Sequence, residues 1–99
     1  MKTQVHSIGF DADKKLIRFI NKKIDKLSRF SDDIIDAEVF LKVESSQNNE
    51  NKLAEIKLKI RGSQLFAKEQ SRTFEGSIDS SCIALRRQLT KRKEKLRGV

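Results

Sequence analysis

Two alternating stretches of apolar and polar residues constrain the fold of this chain more than any other feature. In residues 37–43 and again in residues 54–60, apolar side chains occupy every second position. Successive side chains of a β-strand point to opposite faces, so each stretch predicts a strand with one apolar face. A sheet of such strands needs cover on one side and meets water on the other. We therefore expect any helices to pack on the same side.

Weaker signals predict a strand and a helix before this pair. Residues 2–8 alternate modestly and stop at Gly9, which indicates a first strand. Asp13 suits an N-cap, and the apolar residues after it recur at helical spacing as far as about Phe30. The first strand is thus followed by an amphipathic helix.

The second half of the chain continues with a strand and a helix. The Gly-Ser pair at 62–63 suits a tight turn, and residues 65–68 predict a fourth, weaker strand. Apolar residues at helical spacing then predict a second helix from Phe74 to Gly98.

The order β-α-β-β-β-α predicts an α+β fold with a four-stranded, mostly antiparallel sheet and both helices packed on one face. A chain of 99 residues is long enough for one small core and too short for two. We expect a single domain over residues 1–99.

Positive charge is concentrated in two segments. The chain carries 22 Lys and Arg against 14 Asp and Glu, a net charge of +8. Residues 14–29 and 86–97 each hold seven basic residues and one acidic residue, so each carries +6 and the remainder carries −4. Such segregation indicates a polyanionic partner, either nucleic acid or an acidic membrane surface.

Drawn as helices, both segments place their basic residues beside the apolar stripe. At about 100° per residue, helix one has one stripe of five basic residues: Lys15, Arg18, Lys22, Lys26 and Arg29. Helix two has two rows, which are Arg87, Lys91 and Lys95, and Arg86, Lys93 and Arg97. A merely solvated face usually interleaves opposite charges into stabilising pairs, and these segments do not. RNA or DNA binding explains the pattern better than solubility.

Catalytic and metal-binding patterns are absent from the sequence. His6 has no nearby Cys or second His, and Cys82 lies on the apolar stripe of helix two, where we expect a core residue. Asp32, Asp33 and Asp36 fall in a connection where turn chemistry favours Asp. We expect no enzyme activity, no metal and no cofactor.

Cysteine usage and hydropathy favour a soluble cytoplasmic protein. One cysteine cannot form an internal disulfide, which fits a reduced compartment. No apolar run approaches the roughly 20 residues that a membrane-spanning helix needs. We therefore expect no membrane-spanning segment, and with nucleic acid as the favoured polyanion we expect no membrane partner.

Two segments resemble a known family. Ile24-Asp25-Lys26-Leu27-Ser28-Arg29-Phe30 resembles the first-helix signature of the ribosome hibernation-promoting factors, also called ribosome-associated inhibitor A or sigma-54 modulation proteins. Ile78-Asp79-Ser80 and the run from Arg87 to Leu96 are similar to their second helix. The resemblance covers essentially the whole chain.

The resemblance implies the same fold and a ribosomal role. It implies binding to ribosomal RNA in the mRNA and tRNA channel of the small subunit, over the decoding region. Competition with tRNA and mRNA would silence and protect idle ribosomes under stress or in stationary phase. We expect the chain to be monomeric away from the ribosome.

The resemblance and the charge pattern together predict ten RNA-binding residues. Seven match the family pattern: Lys23, Lys26, Arg29, Arg87, Lys91, Lys93 and Lys95. Three more rest mainly on charge placement: Lys22, Arg86 and Arg92. Ala84 departs from a position that is often basic in relatives.

Two alternatives stay open. The double-stranded RNA-binding domain has nearly the order of the last five elements, but it places its basic cluster at the start of the last helix, where this chain has Glu75 and Asp79. A protein-interaction adaptor would instead use the open sheet face, with Phe40, Phe66 and Leu53. Since helix two is followed by two residues at most, we also expect a short form that does not pair ribosomes through a domain of its own.

Overall fold

The computed structural model describes residues 2–45 and 48–96, and its elements follow the predicted order. The four strands and two helices are, in chain order, β1 (Lys2–Ile8), α1 (Lys14–Phe30), β2 (Ile34–Val43), β3 (Lys52–Ile60), β4 (Ser63–Ser71) and α2 (Phe74–Leu96). The predicted α+β fold is confirmed.

The strands form one mixed sheet in the order β1-β2-β3-β4. β1 and β2 run parallel, and the other two neighbouring pairs are antiparallel. Parallel neighbours need a crossover connection, and α1 supplies it. The sheet is therefore mostly antiparallel, as predicted.

One core lies between the sheet and the two helices. Both helices contribute fully buried side chains to the same apolar cluster as the inward residues of β2 and β3. The largest of these are Ile20, Ile24, Val39, Leu41, Ile56, Leu58, Ile60, Ile78, Leu85 and Leu89. Because these strands bury alternate residues in a single cluster, the helices cover one face, as predicted.

Local signals place the ends of the helices and the tight turn. The Asp13 carboxylate accepts a hydrogen bond of 2.8 Å from the Leu16 amide, which confirms the predicted N-cap of α1. The Thr73 hydroxyl caps α2 by accepting one of 3.0 Å from the Gly76 amide. The turn between β3 and β4 differs slightly from the prediction, because Ser63 already belongs to β4. The predicted end of helix two at Gly98 lies outside the described residues.

Two side chains depart from their predicted environments. Cys82, predicted in the core, is half-buried, because it also lines the groove between the helices. Leu53, predicted on the open sheet face, is only 6% exposed, because it lies beside Phe40 and Lys42. The open face therefore offers less apolar surface than the sequence indicates.

Candidate nucleic-acid interface

The two basic helices lie side by side and run in the same direction. Near the middle of α1, the Lys23 ammonium lies 2.8 Å from the carboxylate of Asp79, near the start of α2. At the end of α1, the ring of Phe30 contacts Arg86 and Lys93, which lie about two and four turns further along α2 than Asp79. The paired helices therefore present their basic residues on one continuous surface.

The predicted stripe on α1 is solvent-exposed along its whole length. All five residues are exposed: Lys15, Arg18, Lys22, Lys26 and Arg29. The first turn of α1 contains Lys14 and Lys15 and no acidic residue. Cations at a helix N-terminus are opposed by the helix dipole. The helix thus carries these charges at some cost to its own stability.

One predicted row on α2 is equally open. Arg87, Lys91 and Lys95 are all exposed, which agrees with their predicted position away from the apolar stripe. Arg86 is exposed too, and its guanidinium lies 4.7 Å from the centroid of the Phe30 ring. Arg97, predicted in the second row, lies outside the described residues.

Three of the ten predicted ligands are half-buried and engaged within the protein. Lys23 forms the ion pair with Asp79. A terminal nitrogen of Arg92 donates to the Arg61 carbonyl over 2.8 Å, and the Lys93 ammonium donates to the Phe30 carbonyl over 2.6 Å. These three residues hold the fold together as well as adding positive potential.

The remaining positive charge is largely unneutralised. Among the basic side chains that the structure describes on α1 and α2, Lys23 alone lies within 4 Å of a carboxylate. Like charges on neighbouring turns repel each other in the absence of a counter-charge. A polyanion laid across both helices would remove this repulsion, because its phosphates would supply the missing negative charge.

A groove with an apolar floor runs between the helices inside this basic surface. It has a volume of about 210 Å³ and ends at the Lys23–Asp79 pair on one side and at Phe30 and Arg86 on the other. Its floor includes Leu27 and Cys82. The sequence does not predict this groove, because residues far apart in the chain build it. One groove residue, the exposed Ile83, is recognisable in the sequence, because it places an apolar side chain outside the apolar stripe of helix two.

The cysteine in the groove floor is held in its neutral form. Burial raises the pKa of the Cys82 thiol from 9.0 to about 11; the nearby Lys23 partly opposes this shift and Asp79 adds slightly to it. A thiol with a raised pKa is a poor nucleophile at neutral pH. This cysteine therefore contributes packing rather than chemistry.

Metal-binding and membrane-spanning features are absent from the described part of the chain. Over residues 2–45 and 48–96, no three or more His, Cys, Asp or Glu side chains gather closely enough to hold a metal ion. Within those residues, neither helix is long and apolar enough to cross a membrane.

Comparison with known proteins identifies the family. Residues 3–97 match the profile of the sigma 54 modulation protein / S30EA ribosomal protein family. The chain belongs to this family. The resemblance read from the two helices is thereby confirmed. S30EA-family proteins bind ribosomes and are not enzymes, in agreement with the expected lack of catalytic activity.

Two curated relatives of this S30EA-family chain are ribosome hibernation factors by name. It is 29% identical over 89 residues to the ribosome hibernation promotion factor of Deinococcus radiodurans. The matched region covers 89% of this chain and 47% of the relative. It is 33% identical over 79 residues to the ribosome hibernation promoting factor of Klebsiella oxytoca, covering 80% and 79% of the two chains. The chain thus spans about half the length of the first relative and most of the second.

Solved structures share the fold of this S30EA-family chain. A ribosomal subunit interface protein from Coxiella burnetii superposes with a TM-score of 0.80 at 25% identity, covering 95% of this chain and 99% of that one. The N-terminal domain of Thermus thermophilus Protein Y gives a TM-score of 0.72 at 20% identity, covering 91% and 93%. At that identity, the second likeness concerns the fold alone.

Proposed function

We propose that this protein is a ribosome hibernation factor that binds the small ribosomal subunit in its mRNA and tRNA channel. The observation that carries the proposal is the continuous, unneutralised basic surface of α1 and α2. Rigid helices hold these cations in fixed positions, which favours the phosphates of a folded RNA. The names of the two curated relatives and of the Coxiella structure support the ribosome as the source of that RNA.

The mechanism in this proposal is steric exclusion. A protein seated over the decoding region occupies the space that mRNA and tRNA need, so translation stops without any chemical step. The bound ribosome is also shielded while it is idle. The protein acts in the cytoplasm as a monomer, with ribosomal RNA as its main contact and no cofactor.

The ten predicted ligands divide into two roles in this proposal. Six exposed residues contact phosphates directly: Lys22, Lys26, Arg29, Arg87, Lys91 and Lys95. Arg86 contributes from the rim of the groove. The half-buried Lys23, Arg92 and Lys93 mainly position the helices and add to the field around them.

The alternatives have less support in the structure. The first turn of α2 carries Glu75, so a basic cluster of the kind that double-stranded RNA-binding domains use is missing from that described turn. On the open sheet face, Phe40 is stacked on His6 with ring centroids 4.9 Å apart, and the Lys57 ammonium lies 5.2 Å from its centroid. Phe66 is 47% exposed and stands opposite Lys57 in the sheet register, so a charged side chain separates it from Phe40.

Sedimentation with purified ribosomal subunits tests the proposal. The protein is mixed with salt-washed 30S or 50S subunits and tracked through a sucrose gradient at several KCl concentrations. We expect it to sediment with 30S subunits and to be released as salt rises, because each phosphate contact steepens the log-log slope by roughly 0.7 to 0.9. Retention that neither salt nor ribonuclease changes would instead support the adaptor.

A further inference from the structure

Ile83 interrupts the basic surface with an exposed aliphatic side chain. Its side chain is 50% exposed. Among the described residues, it is the only large exposed hydrophobic residue that lies on a helix. Residues four apart on a helix are neighbours on its surface, so Ile83 stands at the head of the row that continues with Arg87, Lys91 and Lys95. An apolar side chain at this point lies in the middle of the cations.

The surroundings of Ile83 combine apolar walls with a cationic rim. On one side it lines the interhelical groove with Leu27, Phe30 and Cys82. On the other side it lines a shallow depression along α2 with Arg87 and Lys91. The groove, at about 210 Å³, exceeds the roughly 150 Å³ cavity that accommodates benzene in an engineered protein. Its volume is therefore sufficient for one aromatic ring system.

We propose that the groove binds one unpaired base of the RNA, with Ile83 against the base and the rim cations on its flanking phosphates. This inference rests on the proposed function and names the part of the RNA that the surface recognises. A planar apolar body joined to negative charges matches an apolar floor edged by cations. The base must be unpaired, because a base within a duplex is stacked and offers no free face.

The charges around the groove favour a nucleotide over an apolar protein segment. Five cations line the groove and the adjoining depression: Lys23, Lys26, Arg86, Arg87 and Lys91. The two carboxylates there are Asp79, already paired with Lys23, and Glu94. The Arg86 guanidinium next to the Phe30 ring adds a planar cation at one end of the groove, and RNA-binding proteins use such planes for base stacking.

The first test compares two isoleucines with the same exposure. Ile83→Ala truncates the side chain in the groove, and Ile8→Ala truncates one on β1 that is also 50% exposed. We measure the affinity of both variants for salt-washed 30S subunits across a KCl series, after checking that each melts like the unaltered protein. Ile83→Ala should weaken binding about five-fold, because the base would no longer bury the exposed half of an isoleucine side chain. Its salt slope should stay unchanged, and Ile8→Ala should bind normally.

The second test separates a base from other apolar partners. The unaltered protein and Ile83→Ala are titrated with a short single-stranded oligoadenylate and with a ribose-phosphate chain of equal length that lacks bases. We expect the unaltered protein to prefer the oligoadenylate and Ile83→Ala to lose most of that preference. An equal preference in both proteins, or equal losses for the two alanine variants on 30S subunits, overturns the inference. Failure of the unaltered protein to bind 30S subunits, with the base preference intact, would contradict the proposed function alone.

Discussion

At the scale of single residues, Phe30 is the point where the two helices are joined. Its carbonyl, near the end of α1, accepts the Lys93 ammonium over 2.6 Å, and the same ammonium lies 4.2 Å from the centroid of its ring. The last carbonyls of a helix have no partner within the helix, so a cation there satisfies one of them and complements the dipole. Lys93, which the sequence predicts as an RNA ligand, therefore also stabilises the contact between the two helices.

This dual role predicts that Lys93→Ala lowers the free energy of unfolding. The loss of a charged hydrogen bond and a cation–π contact should cost about 1 kcal/mol. Lys91→Ala is the matched control, because Lys91 is exposed and surface changes usually stay within about 0.5 kcal/mol. Urea denaturation measures both. Equal stabilities for the two variants would show that the Phe30 contact contributes nothing.

The Cys82 thiol predicts a pH dependence of stability. Its pKa is about 11 in the folded protein, above the 9.0 of an ordinary thiol. Between those values the unfolded chain loses the thiol proton while the folded chain keeps it, so stability falls as pH rises through this window. Below about pH 9 both states are protonated and the effect is absent. The free energy of unfolding of the unaltered protein, relative to that of Cys82→Ala, should therefore fall as pH rises from 8 to 11. A relative free energy that stays constant over this range would contradict the prediction.

At the scale of elements, the apolar alternation was sufficient to predict the two central strands, β2 and β3, but not the full length of the edge strand β4. β2 and β3 bury alternate residues, so their sequences specify their faces. β4 extends over Ser63–Ser71, well beyond the predicted residues 65–68, because its outer residues are polar and gain strand structure from pairing with β3. Such pairing depends on a neighbour that local sequence does not reveal. The Gln88 side chain also donates to the Phe66 carbonyl on this strand.

The candidate site was predictable in its charges and not in its contacts. Counting Lys and Arg by segment located both basic helices, because charge is a property of each residue. The contacts of Lys23 and Lys93 join residues 56 and 63 positions apart, and nothing in the local pattern links them. The same holds for the groove floor. The sequence therefore predicted where the basic side chains lie but not which of them also support the fold.

The exposed row on α2 predicts a separable effect on binding. Reversing Arg87, Lys91 and Lys95 to Glu should weaken 30S binding sharply and flatten its salt dependence, because several phosphate contacts are lost. The melting temperature should change little, since all three side chains are exposed.

An equal reversal on the open sheet face provides the control. Lys42, Lys59 and Lys68 are also exposed, and changing them to Glu alters the net charge by the same amount. We expect this variant to keep most of the salt slope and affinity. If both triple variants lose binding equally, net charge rather than the helical surface governs association, and the assignment of the interface is wrong.

At the scale of the whole molecule, the fold separates a basic helical side from a mixed sheet side. The outward residues of β1, β2 and β3 include cross-strand neighbours of opposite charge, such as Lys59 opposite Asp36 and Lys57 opposite Glu38. The helical side lacks such neutralisation among its described residues apart from Lys23. Because the two helices are fixed to one sheet and to each other, the molecule presents RNA with a rigid basic surface.

Competition with tRNA tests the central claim most directly. mRNA-programmed 30S subunits carrying labelled tRNA are titrated with the protein, and the remaining bound tRNA is measured at several tRNA concentrations. Steric exclusion predicts that the protein displaces tRNA and that its midpoint rises in proportion to tRNA concentration, while the Arg87/Lys91/Lys95→Glu variant displaces far less. If the protein and tRNA occupy the same subunit together, so that the bound tRNA stays constant while the protein saturates, the proposed site is contradicted.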